Sequence, residues 1–132
     1  METISLSTGK RTQLLNVTEQ VRAALGDGDG ASAALVYVPH TTAGVTINEH
    51  IDPELLVDFE HALEKLVDDG WNWRHEDADG PNGPAHVRAS LMSPQVLIPL
   101  EAGRLALGTY QGIFFCEFDG PRQRKVYVTT LS

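Results

Sequence analysis

Apolar and polar positions along the chain change period several times, and each change marks an element. Ile4-Ser5-Leu6 and Thr12-Gln13-Leu14-Leu15, split by Thr8-Gly9-Lys10, read as a short β-hairpin. Asn16 followed by Glu19 has the spacing of a capping box and predicts a helix from Val17 to Leu25. Gly26-Asp27-Gly28-Asp29-Gly30 ends it. As a divalent-cation loop this run lacks the terminal Glu and further ligands of an EF-hand, so an exposed turn is expected. Ala33 to Val38 is an unbroken apolar run of strand length, the mark of a strand central in a sheet, and Pro39 closes it just before His40. Val45-Thr46-Ile47-Asn48 then alternates as the next strand.

Asp52-Pro53 has the form of a helix start, with an N-cap and a proline in the first turn. Leu55, Leu56, Phe59, Leu63, Leu66 and Val67 form one stripe, and Gly70 is the expected stop. His61 falls about 200° from Phe59 at about 100° per residue, which turns it to solvent. Gly70 to Ala85 shows no period. Loops of this length in small domains are uncommon, and Trp71 and Trp73 argue for anchoring onto a core. His86 to Leu91 reads as a short helix. Gln95 to Pro99 and Arg104 to Leu107 flank the turn Glu101-Ala102-Gly103, and Gly112 to Phe118 and Lys125 to Leu131 flank Asp119-Gly120-Pro121. A run of antiparallel-style strands after two main helices predicts an α+β fold, mostly an antiparallel β sandwich. No repeat or linker divides residues 1–132, so one domain is expected.

Composition narrows the classes. The formal net charge of −8 lacks the clustered Lys and Arg of a nucleic-acid footprint, so no nucleic-acid partner is expected. No apolar run reaches the roughly 18 residues of a membrane helix, and Met1-Glu2-Thr3-Ile4 does not open like a signal peptide. The expectation is a cytoplasmic protein without a membrane partner. Cys116 is the only cysteine and sits in the apolar run Ile113 to Phe118, where a buried packing role is expected.

The chemistry-bearing residues concentrate in two segments: His40 to Asp52, and a Gly/Pro-rich loop with His75, Asp77, Asp79, Asn82 and His86. Imidazoles and carboxylates are unfavourable to bury unpaired, so such crowding suggests a polar pocket. His75 and His86, with Asp79 as carboxylate partner, suit a divalent ion, or hydrogen-bond to loop carbonyls. His40 is a candidate base, phosphate contact or third ligand, or a capped strand end. Thr41 and Thr42 orient it or favour the strand. Glu49 and Asp52 are paired carboxylates, the latter already explained as an N-cap. Asn48 and Asn82 offer amide hydrogen bonds to a substrate or serve turns. Glu117 interrupts an apolar strand on the face of Ile113 and Phe115. Either that face is a pocket wall or subunit interface, or it is solvated and Phe114, Cys116 and Phe118 form the core. Arg88 and Arg122 can reach a phosphate or pair on the surface.

His40-Thr41-Thr42-Ala43-Gly44, Thr46-Ile47-Asn48-Glu49 with Asp52-Pro53, and Pro84-Ala85-His86-Val87 leading to Ser90-Leu91 form an ordered set. It continues through Gly103-Arg104-Leu105-Ala106-Leu107-Gly108-Thr109-Tyr110-Gln111-Gly112-Ile113, then Glu117 and Gly120-Pro121-Arg122. Over nearly the whole chain this set resembles the YjbQ-like family, small proteins assigned as secondary thiamine-phosphate synthases. Tyr110 stands where many relatives have Trp, and His50 where relatives often have Asn. The resemblance implies a sandwich-like α+β fold, a homotrimer, and a small polar pocket associated in several relatives with a metal ion; the expected cofactor here is a divalent ion, zinc or magnesium. It implies a transferase joining hydroxymethylpyrimidine diphosphate to thiazole phosphate, with release of pyrophosphate. A metal-dependent hydrolase of a small phosphorylated metabolite and a non-catalytic metabolite-binding trimer are the alternatives. On this reading His40, Glu49, Asp52 and Glu117 are the expected catalytic groups. Thr41, Thr42, Asn48, Asn82, Arg88 and Arg122 are expected to hold a small anionic metabolite, and His75, Asp79 and His86 the metal.

Overall fold

The run Gly112 to Phe118 shows no alternation of burial because both of its faces are covered: every residue in it is buried. A computed structural model describes residues 1–28, 30–76 and 80–132. Eight strands and three helices succeed one another among them. These are β1 (Glu2–Ser7), β2 (Gln13–Asn16), α1 (Thr18–Leu25), β3 (Ala33–Tyr37), β4 (Ala43–Glu49), α2 (Pro53–Leu66), α3 (Gly83–Met92), β5 (Gln95–Glu101), β6 (Arg104–Leu105), β7 (Gln111–Glu117) and β8 (Gln123–Leu131). They form a five-stranded sheet in the order β1-β8-β3-β5-β6 and a three-stranded sheet in the order β2-β7-β4. All strand pairs are antiparallel. The chain is therefore an α+β molecule built on an antiparallel sandwich, as its sequence pattern predicts.

Ile113 and Phe115 point from β7 into the space between the sheets, where they meet Val36, Val45, Val126, Val128, Val17 just before α1 and Val21 within it. Phe114, Cys116 and Phe118 point the other way, into a second cluster with Leu63 of α2 and Ala85 and Ala89 of α3. The face of Ile113, Phe115 and Glu117 is thus not solvated but buried between the sheets, and the Phe114, Cys116 and Phe118 face is core as well, because helices cover the outer side of the smaller sheet. Burial pushes the Cys116 thiol up to about 12, consistent with a packing role. β3 lies between β8 and β5, central as expected.

The expected hairpin of β1 and β2 does not form. β1 pairs with β8, Ile4 opposite Val126, while β2 pairs with β7, Leu15 opposite Phe115. The segment between them is a corner of the sandwich rather than a turn within one sheet. β7 and β8 are likewise in different sheets, and their connection lies against the first corner through Gly120 N–H to Arg11 O (3.1 Å) and Thr8 N–H to Arg122 O (2.9 Å). Alternation specifies which side chains face inward but not which strand is the neighbour. β5 and β6 do form a hairpin, Leu100 opposite Leu105.

The helix starts differ from expectation at α3, which begins at Gly83 rather than His86, and at α1. Asn16 Oδ1 accepts from the Thr18 amide (3.1 Å) and hydroxyl (2.6 Å), while Glu19 pairs with Arg22 instead of closing a capping box. At α2, Asp52 Oδ1 accepts from the Glu54 amide at 3.0 Å, with Pro53 following it. α2 stops at Leu66 rather than continuing to Gly70, because Val67 turns extended and buries while Leu66 stays 65% exposed. Trp73 is half-buried as expected of an anchor, but Trp71 is 56% exposed and stacks on it. None of the helices is long and apolar enough to cross a membrane among the described residues.

Candidate functional site

Three chain crossings meet at one end of the sandwich: the corner after β1, the link from β3 to β4, and the link from β7 to β8. The first turn of α3 packs beside them. The β3–β4 and β7–β8 links, the start of α3 and Arg124 of β8 line a cleft of 320 Å³ through Pro39, His40, Thr41, Thr42, Asn82, His86, Asp119, Arg122 and Arg124. Six of the expected site residues therefore converge: His40, Thr41, Thr42, Asn82, His86 and Arg122.

Glu117 lies beneath the cleft with no exposed surface. Its Oε1 accepts from Arg124 Nε (2.8 Å) and from the Thr8 hydroxyl (2.8 Å). Its Oε2 accepts from Arg124 Nη2 and from the amides of Phe118 (3.1 Å) and Asp119 (3.0 Å). Burial by itself raises the carboxyl, but the Arg124 bond, the Asp119 amide and the Thr8 hydroxyl outweigh it and hold Glu117 below its ordinary range. Arg124 Nη2 also donates to Thr42 Oγ1 at 2.8 Å, which ties the buried pair to the cleft wall. With its oxygens engaged, Glu117 positions Arg124 and is not set to take a substrate proton.

His40 accepts the Lys125 amide on Nε2 at 2.9 Å. The neutral ring therefore carries its proton on Nδ1, and its Nε2 is not open as a base or ligand. Partial burial, helped by Arg124, lowers its pKa below 6.5 against the opposing pull of Glu117 and the Lys125 amide. Arg122 donates from Nε to Asp119 O (2.8 Å) and from Nη2 to Asp119 Oδ2 (2.9 Å), and Asn82 Nδ2 donates to the same oxygen at 3.1 Å.

The remaining expected residues are elsewhere. Asn48, Glu49 and Asp52 lie at or beyond the far end of β4, where Glu49 faces Gln111 while Ala43 faces Glu117. Six steps of strand separate these ends by about 20 Å. Asn48 Oδ1 bonds the Glu49 amide (2.8 Å) and Asp52 caps α2, so both serve local structure. Arg88 is buried away from the cleft, donating to Val67 O (2.7 Å) and Asp69 Oδ1 (3.3 Å), where it fastens the end of α2 to α3. His75 is exposed, its ring edge-on to His86 with centroids 4.9 Å apart. Asp79 and Asp77 fall outside the described residues. Among the described residues no three His, Cys, Asp or Glu side chains gather as a metal site, so the donors present stop at two adjoining imidazoles.

Asp119 and Arg124 belong to the cleft and were not legible as such in the turn and strand that carry them. A signal for Arg124 existed. Period-two spacing puts it on the inward face of β8 with Val126 and Val128, and an arginine there requires a buried carboxylate. A larger cavity of 520 Å³ lies near the other end of β7, beside His50, Arg22 and Gln111. Its arginine is paired with Glu19, and none of the expected site residues lines it.

A family model described as UPF0047 protein YjbQ-like matches residues 2–132. The chain is 42% identical to UPF0047 protein YugU of Bacillus subtilis, covering 97% of this chain and 96% of that one. A UPF0047 protein of Archaeoglobus fulgidus is 44% identical, with 97% and 98% covered. The crystal structure of a YjbQ/UPF0047 family protein from Clostridium acetobutylicum superposes with a TM-score of 0.92 at 41% identity, over 99% of this chain and 100% of that one.

Proposed function

This chain belongs to the YjbQ/UPF0047 family, and from that premise we propose that its His40 cleft binds a small phosphorylated metabolite and acts as a transferase site. The reaction proposed is the one its sequence resemblance implies: hydroxymethylpyrimidine diphosphate and thiazole phosphate give thiamine phosphate and pyrophosphate. The observation that carries the proposal is the convergence of His40, Thr41, Asn82, His86, Arg122 and Arg124 on one small cleft at a sandwich end.

In that reaction a carbon–oxygen bond to the diphosphate breaks and a carbon–nitrogen bond to the thiazole ring forms. The electron pair leaves with pyrophosphate, so the main demand is for donors facing the departing oxygens. Arg122, the Nδ1–H of neutral His40 and the Thr41 hydroxyl supply donors of that kind. Arg124, held by Glu117 and bonded to Thr42, adds fixed positive charge behind them. The thiazole nitrogen attacks through its own lone pair and needs no base, which suits a His40 whose Nε2 is occupied. His75 and His86, whose rings adjoin, are the residues that would hold a divalent ion, which would supply positive charge to the departing oxygens. One observation favours binding without turnover as the second reading: Arg122 and Arg124 are both paired with carboxylates already.

Purified protein assayed for thiamine phosphate is expected to lose at least about tenfold in kcat/KM on Arg122→Ala, the effect of one charged hydrogen bond. Equal rates would remove the cleft from the proposal. Saturable pyrophosphate binding without product would favour the second reading. The homotrimer is part of the proposal, and light scattering on the same sample is expected to return the mass of three chains. A single chain's mass would strike it out.

A further inference from the structure

An antiparallel sheet with one solvated face ordinarily turns apolar side chains inward and polar ones out. The five-stranded sheet departs from that pattern. Val36, Ile98, Val126 and Val128 turn inward to the core. The alternate positions of β5, β3 and β8 turn outward, and most of them are apolar as well. Leu97, Leu35 and Thr129 form one row across the sheet, and Gln95, Tyr37 and Tyr127 the next. Pro99, Ala33 and Leu131 complete the face. Leu97, Tyr37 and Leu131 are exposed, and Leu35 and Tyr127 are half-buried. None of the three helices lies over them: α1 packs on the inner side through Val21, while α2 and α3 cover the smaller sheet.

These three rows carry no charged side chain, on a chain whose formal net charge is −8. Two copies repel one another over most approaches and least over this one. A flat apolar face of this kind is an interaction surface, and sheets pack well face to face. The rows span roughly 250 Å² by strand spacing and rise. Each partner in a stable assembly buries about 800 Å², so a contact centred here extends past the rows. Along β8 the next outward residue is Lys125, opposite Ser5. Its backbone amide donates to His40 Nε2 at 2.9 Å, so the face continues directly into the rim of the His40 cleft.

We infer that the outer face of the five-stranded sheet is the interface between copies of this chain, and that the contact passes Lys125 so that the neighbouring copy forms the outer wall of the His40 cleft. Assembly and anion binding are then coupled. The inference rests on the self-association and the anion cleft of the proposed function, and adds to them the face and the link between the two.

The test is light scattering of the full chain, followed by titration with inorganic pyrophosphate. Leu97→Glu sets a carboxylate in the middle of the face, at a side chain 59% exposed in the single chain. It is expected to reduce the mass to one chain while the far-UV circular dichroism stays that of the folded protein. Leu91→Glu is the matched control, since Leu91 is 56% exposed but lies on α3, and it is expected to keep the wild-type mass. Tyr37→Glu repeats the test from the central strand should Leu97→Glu not fold. Neither Leu97 nor Tyr37 lines the cleft, yet the single-chain variant is expected to bind pyrophosphate at least about tenfold more weakly. A Leu97→Glu protein of wild-type mass overturns the interface. A single-chain variant with wild-type affinity overturns the shared wall. A wild-type protein with the mass of one chain removes the assembly and this inference with it, and leaves the cleft standing. A wild-type assembly that binds no pyrophosphate removes the cleft and its shared wall.

Discussion

Glu117 and Arg124 illustrate how one residue's role depends on its partner. A carboxylate within β7 has the look of a catalytic group, yet five donors surround it and the nearest is a guanidinium. Removing the charge leaves Arg124 buried without compensation, which in proteins typically costs about 3–5 kcal/mol. Glu117→Gln is therefore expected to lower the denaturant midpoint by a corresponding amount, and an unchanged midpoint would show the pair to be idle. His40, Thr41, Thr42, Asn82, His86 and Arg122 were legible because each stands at the end of a strand or the start of a helix, where side chains project from a sandwich end. Glu49 and Asp52 carry equally suggestive chemistry. They fail to join because the length of β4 separates them from His40, and sequence proximity conceals that distance.

At the level of elements, the clearest case is α3 against the Trp73 segment. Alanine ordinarily outranks glycine in a helix, so Gly83→Ala would be neutral or better on propensity alone. Here the added methyl would meet the indole at 2.6 Å, and the Trp73 ring is tied by its own hydrogen bond. Overpacking of this kind costs about 1–3 kcal/mol. Gly83→Ala is expected to lower the thermal midpoint and shift tryptophan emission together; no change in either would show that the ring is free to move. Helix and strand positions were largely readable from periodicity, since α1, α2, β3 and β5 lie close to where the pattern puts them. Pairing was not. β1 and β2 alternate as a hairpin should, but both lie at corners where the chain passes between sheets, and a period of two is the same in either sheet.

Across the whole molecule, the two shifted acid–base groups near the cleft act in the same direction. The folded pKa of His40 is below 6.5 and that of Glu117 below 4.5, so the unfolded chain binds more protons than the folded one between the paired values. The His40 contribution is complete above pH 6.5 and is lost as pH falls from there through the depressed folded value. The Glu117 contribution is complete above 4.5 and goes in the same way at lower pH. Stability is thus expected to fall from pH 7.5 to 5.5 in the wild-type chain, and less in His40→Gln, when denaturant midpoints are compared. A drop of equal size in the variant would remove His40 as its source. Protonation of His40 would also break the Lys125 amide bond, because a ring with protons on both nitrogens cannot accept it.

The double-sided cover of β7 has one practical result. Cys116 is the chain's single thiol, fully enclosed and, with its pKa raised to about 12, scarcely ever a thiolate. Maleimide or disulfide reagents can reach it only when the small sheet separates from its helices, so its rate of labelling clocks that opening in unmodified protein. A cysteine introduced on the surface can accordingly carry a dye or spin label while the native one is left in place.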